Sequence, residues 1–300
     1  KDIAVNGKQE LEDGQLVHGL MHHPDDTEVN FLIAIPIREK YSFKITLIPV
    51  AEEYFEYKLY GVDESGKAIA DASLDSGSYD GVIYVDNERA ADIDRHTGRF
   101  LLSVVYPSWA AEINREESPD SDPAVGAVRY SDFFVGFNTP EVPLSMREGL
   151  IFVSYLPIEG SRDLFLINKE GIEQNHISVT LNNWAGRSLL RAPGFSHDTV
   201  SMSGTLVLDL TQRDFNNRDL LIEVIAEDYE TRYQLSYASS GSHPTELKFG
   251  QIQPGFTKSQ DLRSYFVKGT RQEIEKLVFN IEVYQGDVSL YVVFGSSLEE

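Results

Sequence analysis

The chain has no cysteine. Disulfides and thiolate metal sites are therefore excluded, and the redox compartment is not written in the sequence. Positive charge is scarce as well: 26 Lys and Arg stand against 48 Asp and Glu, a formal net charge of −22. A surface that tracks phosphates needs clustered Lys and Arg, so nucleic acid is a disfavoured partner. An anionic membrane surface is disfavoured for the same reason. No apolar run reaches the roughly 18 residues that a membrane-spanning helix requires. Asn-x-Ser/Thr sequons are absent, so no glycosylation marker places the chain outside the cell. There is no Gly-x-Ser-x-Gly turn for a serine nucleophile and no Gly-rich phosphate loop. Sustained 3.6-residue periodicity is missing too; only short stretches such as 86–93 could turn helically. The chain opens on Lys1 rather than Met, as expected of a processed or excised segment.

What the chain does have is alternation. The segment 277–295, LVFNIEVYQGDVSLYVVFG, sets Leu277, Phe279, Ile281 and Val283 against Val278, Asn280, Glu282 and Tyr284. That period of two predicts a half-buried strand. Gln285-Gly286-Asp287 supplies a turn, and 289–294 a second strand. Two upstream copies match at fixed spacing. Phe43, Ile45 and Leu47 correspond to Ile177, Val179 and Leu181, and again to Leu277, Phe279 and Ile281. The positions between them are mostly polar: Lys44 and Thr46, then Ser178 and Thr180. The preceding strands align Phe31 with Phe165 and, one residue displaced, Phe266. The following strands end at Gly61, Gly194 and Gly295, with Pro193 cutting the middle one short.

The later halves of the first two copies also correspond. GVIYV at 81–85 matches GTLVL at 204–208, and RFLLSVVY at 99–106 matches RDLLIEVI at 218–225. The last strands, 130–137 and 232–237, match as well. Three matched strands in three places predict internal repetition; the alternative is one large sandwich with evenly spaced strands. The expected fold is all-β: tandem jelly-roll-like antiparallel sandwiches, the third partial. The expected domains are 1–140, 141–243 and 244–300. The first carries an acidic insert at 107–128, a hairpin tip or binding loop. The Pro-rich segment 138–144 reads as an extended, semi-rigid linker, and the Gly/Ser-rich 239–244 as a flexible one. Since few residues follow Gly295, the third copy is expected to be completed by chain beyond Glu300 or by a neighbouring unit.

Ser264-Tyr265-Phe266-Val267, followed by Gly286-Asp287-Val288-Ser289-Leu290-Tyr291-Val292, resembles the bacterial pre-peptidase C-terminal domain family. The second set is similar to its Gly-Asp-x-Asp-Leu-Tyr-Val hallmark, with Ser289 at the second acidic position. More degraded versions stand at 55–60 and 186–190. The resemblance implies small jelly-roll-like sandwiches appended to secreted proteases and surface proteins. It also implies an accessory or adhesive role without catalytic residues. Some collagen-binding relatives hold Ca²⁺ through an acidic linker, but the linkers here offer only Glu141, Glu148 and Glu246.

Candidate chemistry is sparse. His18, His22 and His23 beside Asp25 and Asp26 could ligate a metal if a helix aligned them; Gly19 and Pro24 favour a solvated loop. Asp92 and Asp94, and Asp120 and Asp122, look like fragments of a Ca²⁺ loop, but lack the Gly and the closing Glu of an EF-hand. An irregular calcium site is drawn most plausibly from Glu116, Glu117, Asp120 and Asp122 in the acidic insert. Ser196, His197 and Asp198 are consecutive and form no triad by themselves. Trp109 and Trp184 are candidate ligand contacts, although such aromatics more often close a core edge. The expected function is a non-catalytic structural or adhesive array in a larger extracellular or cell-surface assembly. It would act through other protein chains or further repeats. The alternative is a carbohydrate- or matrix-binding accessory module of a secreted enzyme, aided by calcium.

Overall fold

The alternating segments become strands, because Val, Ile and aromatic side chains pack well on a pleated, half-buried surface. The computed structural model describes residues 9–23, 27–35, 42–49, 55–78, 81–86, 88, 98–107, 129–168, 176–194, 199–201, 204–209, 219–239, 245–247, 264–267, 277–279, 281 and 287–292. By compactness the chain divides into residues 1–266 and residues 267–300.

The first unit holds two sandwiches. One is built from β1 (Gln9–Leu11), β2 (Leu16–His23), β3 (Glu28–Ala34), β4 (Phe43–Pro49), β5 (Glu56–Val62), β6 (Ala68–Ser78), β7 (Val82–Val85), β8 (Arg99–Val105) and β9 (Arg129–Asn138). Its sheets run β1-β3-β8-β5-β6 and β2-β9-β4-β7. The other is built from β10 (Leu144–Ser145), β11 (Phe152–Leu156), β12 (Arg162–Ile167), β13 (His176–Ala185), β14 (Ser188–Ala192), β15 (Thr199–Ser201), β16 (Gly204–Asp209), β17 (Leu220–Ala226) and β18 (Thr231–Ser239). Its sheets run β10-β12-β17-β14-β15 and β11-β18-β13-β16, the same order again. In each, eight strands pair as a jelly roll, and a short leading strand adds in parallel at one edge.

Pairing registers tie the halves together residue by residue. Ile45 pairs with Phe137 and Ile83, while Val179 pairs with Tyr237 and Leu206. Phe31 pairs with Leu102, and Phe165 with Ile222. That last pair corrects the expected match of 99–106 with 218–225 by one residue. Phe100, Leu101, Leu102, Ser103 and Val104 are all buried, so β8 has no exposed face. A strand covered on both sides carries no alternation from which to read its register.

Two further expectations change. The segment after Asn138 turns rather than extends: Val142 N–H donates to the Thr139 carbonyl, and Glu141 takes a φ of 74°. Asp13 draws the segment in, accepting from Thr139 N–H at 2.9 Å and Thr139 Oγ1 at 2.6 Å. At the far end of the chain, residues 277–279, 281 and 287–292 carry no strand, and Val278, Phe279, Ile281 and Tyr291 are exposed. Alternation names the side chains that would face a core, but a strand needs a hydrogen-bonded neighbour and a covered face. Phe266 lies on β20 (Tyr265–Val267), which pairs with β19 (Thr245–Leu247) as a two-stranded sheet. Glu88 is helical, while 87 and 89–93 lie outside the described residues.

Candidate functional site: the seam between the two sandwiches

β4 is buried on both faces. Phe43, Ile45 and Leu47 enter the first core, as their period requires. Lys44, Thr46 and Ile48, which should face water on a half-buried strand, are also buried. The second sandwich covers them. Ile48 and Phe134 belong to one apolar cluster with Leu144, Met146, Leu150 and Phe152 of the second half. Burying each such side chain contributes about 1.5–3 kcal/mol. Gly81, at a φ of +94°, lies so close to β11 that a Cβ there would come within 2.5 Å of Val153. The Tyr84 and Tyr155 rings meet edge-on at 6.1 Å, and Arg147 covers Phe134 at 4.9 Å.

Into this seam Lys44 reaches from the first sandwich. Its Nζ donates to Asp163 Oδ1 at 2.6 Å and to Ser154 Oγ at 3.2 Å. Ser154 Oγ donates to Asp163 Oδ2 at 2.7 Å, and the Tyr233 hydroxyl donates to the same oxygen at 2.5 Å. Asp163 shares its inward parity on β12 with Phe165 and Ile167. Ser154 and Tyr233 face each other across the β11–β18 pairing. All four residues are buried. Burial, then the Asp163 charge, pushes the Tyr233 hydroxyl well above the ordinary tyrosine range, so it remains a donor. Both carboxylate oxygens therefore accept from buried donors, one on Oδ1 and two on Oδ2, as a buried charge requires. A second network lies on β17 at buried Glu223, with Arg162 at 3.2 Å and Arg191 at 3.7 Å. Arg162 also holds Glu141, fastening the connecting turn to the second sandwich.

Alternation alone hides this cluster. Lys44 reads as an outward polar position whether the outer face meets water or protein. The available signal was Asp163, an acid at an inward position of Arg-Asp-Leu-Phe-Leu-Ile.

The residues singled out from sequence do not assemble there. Trp109, Glu116, Glu117, Asp120 and Asp122 lie outside the described residues, as do Asp92, Asp94 and 196–198. His18, His22 and His23 are on strand β2, not in a loop. His18 Nε2 sits 3.1 Å from Asp132 Oδ1, and its ring stacks obliquely on Phe134. Among the described residues, no group of three or more His, Asp or Glu could hold a metal ion. Trp184 is 55% exposed where β13 ends. Ile158 and Tyr229 are exposed on neighbouring turns of that end, which are joined by Glu230 N–H to the Pro157 carbonyl and Glu227 N–H to the Arg187 carbonyl.

Fold and seam together define a pair of jelly-roll sandwiches docked face to edge. No protein-family profile matches the chain, and no curated protein sequence matches it. Among solved structures, the chain is similar to one from the atomic structure of Sulfolobus Turreted Icosahedral Virus, with 13% identity, 78% of this chain and 98% of that chain covered, and a TM-score of 0.19. It is also similar to a protein crystallised with neoagarooctaose, with 10% identity, 75% and 32% covered, and a TM-score of 0.13. Scores this low carry no functional argument.

Proposed function

We propose that the chain is a non-catalytic structural or adhesive array of β-sandwiches. It would serve in a larger secreted or cell-surface assembly, acting through contacts with other protein chains or further repeats. The observation behind this reading is the seam. The first sandwich places Ile48 and Phe134 in the second's apolar cluster and Lys44 in its buried polar cluster, so buried contacts tie the two together. Fixed spacing between modules is what a scaffold needs. The strand order also serves in capsid subunits and lectins, which work by presenting surface. The test is a panel of peptide, ester and glycoside substrates alongside immobilised collagen, fibronectin and further copies of the chain. Binding to a protein surface without turnover is expected; saturable turnover that survives further purification would overturn the reading.

Trp184 supports a second reading, a carbohydrate- or matrix-binding accessory module of the kind implied by the pre-peptidase C-terminal resemblance. An indole this exposed on a strand end offers a flat apolar face to a sugar ring. Calcium, drawn from the insert carboxylates, belongs to this reading. Binding to a glycan panel that is lost in Trp184→Ala would favour it over the first, and chelation by EDTA would separate the calcium part.

A further inference from the structure

We propose that Lys44 and Asp163 form an intramolecular amide cross-link that joins the two sandwiches covalently. Nothing in the binding readings above requires it, so its test stands apart from theirs. Four observations carry the idea. The amine and the carboxyl are in direct contact, Nζ to Oδ1 at 2.6 Å. Both side chains are about nine-tenths buried, with 10% and 7% exposed. The other carboxyl oxygen, Oδ2, accepts from two hydroxyls, Tyr233 and Ser154. And the chain has no cysteine, so a disulfide is not an available tie.

The chemistry follows from that geometry. Attack requires the neutral pair, amine plus carboxylic acid, in place of the ion pair. A proton passing from Nζ to Oδ1 produces it. The Nζ lone pair then attacks Cγ, and the developing negative charge falls on Oδ2, where the two hydroxyls already point; this is the arrangement of an oxyanion hole. A second proton passes from Nζ to Oδ1, the Cγ–Oδ1 bond breaks, and Oδ1 leaves as water. Oδ2 remains as the amide carbonyl, still accepting from Tyr233 and Ser154. One N–C bond forms, one C–O bond breaks, both protons come from the amine, and no oxidant or other reactant is needed. Holding reacting groups in contact is worth effective concentrations of about 10⁵ M or more in favourable cases. Release of water from a closed seam also favours the product.

The experiment is intact mass spectrometry of the folded, purified chain after denaturation, with peptide mapping. A mass lower by one water and a branched peptide joining Lys44 to Asp163 are expected, with no tryptic cleavage after Lys44. Lys44→Arg keeps the charge but cannot form the amide, and should show the full sequence mass. Tyr233→Phe removes one Oδ2 donor while keeping the ring, and should slow cross-linking so that unlinked chain accumulates. Asp163→Asn should still cross-link, losing ammonia instead of water. Full sequence mass and a linear Lys44 peptide in the unaltered protein, unchanged after prolonged incubation, would overturn the proposal and leave an ion pair.

Discussion

The two sandwiches share one strand order but fill one place in it with opposite chemistry. In the second, Ser154 lies opposite Tyr233, with Asp163 on the adjoining sheet. The registers place Gly19, Phe133 and Val29 at the same three positions of the first. There Phe133 lies over Gly19, close enough that a Cβ would come within 2.3 Å of its ring, and packs on Phe31 and Phe55. The first sandwich thus closes this end of its core with an aromatic over a glycine. The second leaves a polar socket and fills it with a lysine from its neighbour. The position corresponding to Lys44 on the second sandwich is Ser178, too short to act as a plug. Among the described residues, plug and socket therefore occur once, at this seam.

The largest effect should come from breaking the pair on one side. Relative to the unlinked ion pair, Lys44→Met leaves the Asp163 carboxylate buried without its cation, a loss of about 3–5 kcal/mol; where the amide has formed, the substitution removes that tie as well. Urea unfolding should show the loss as a lower midpoint. Giving the second sandwich the first one's solution tests the comparison itself. Lys44→Met combined with Ser154→Gly, Asp163→Val and Tyr233→Phe should recover most of that loss, because apolar replacement of a buried pair is often neutral or stabilising. If the combined variant is as weak as the single one, the socket contributes more than charge compensation.

The converse change is smaller. Gly19→Ser puts the second sandwich's residue into the first, against the Phe133 ring. Overpacking of this kind costs about 1–3 kcal/mol. Adding Phe133→Ala should relieve the clash while opening a cavity, so the two changes should be non-additive. Additive losses in a double-mutant cycle would mean that Gly19 and Phe133 are not the matched pair inferred from the registers.

How much of this was legible in the chain depends on what each residue faces. Phe43, Ile45 and Leu47 face a core that their own sandwich supplies, so alternation placed them and their counterparts Ile177, Val179 and Leu181 correctly. Lys44 faces another sandwich, and a period of two says only that it points the other way. Leu102 lies on a strand buried on both faces, which is why its match slipped by one residue. Phe279 and Ile281 alternate as well as any, yet they lie exposed, because pattern does not supply a pairing edge. Trp184 was legible as a strand-end aromatic; its exposure was not. The acidic insert residues lie outside the described structure.

Alkaline pH should separate the sandwiches by a third route. Tyr233 and Tyr237 correspond to Phe133 and Phe137, so only the second sandwich carries buried phenols at these two places. Burial, then the Glu148 charge, pushes Tyr237 up to about 12, and Tyr233 is raised well above 10. A group whose pKa is raised on folding lends stability that is whole below its unfolded pKa and is lost as pH rises through the folded value. The loss here should therefore begin near pH 10 and grow through about 12. Tyr237→Phe should flatten that decline, and ultraviolet titration should show the Tyr233 and Tyr237 phenols ionising above the ordinary tyrosine range. A decline unchanged in Tyr237→Phe would assign it elsewhere.

The smallest effect concerns the exposed end of the second sandwich, where Arg187 pairs with Asp228 through Nε at 3.0 Å and Nη2 at 3.2 Å. The hydrogen bonds from Arg187, more than its charge, hold the Asp228 carboxyl below its usual range. A depressed carboxyl lends stability above its unfolded pKa that is lost as pH falls through the folded one. Both groups lie in solvent, however, where water and salt screen the pair and two long side chains lose freedom to form it. Arg187→Ala should leave the urea midpoint nearly unchanged while returning Asp228 to an ordinary carboxylate titration by NMR. Before any amide forms, the Lys44 and Arg187 pairs are both ion pairs at close range, and desolvation distinguishes them. A midpoint shift in Arg187→Ala comparable to that in Lys44→Met would mean that burial is not what makes the seam different.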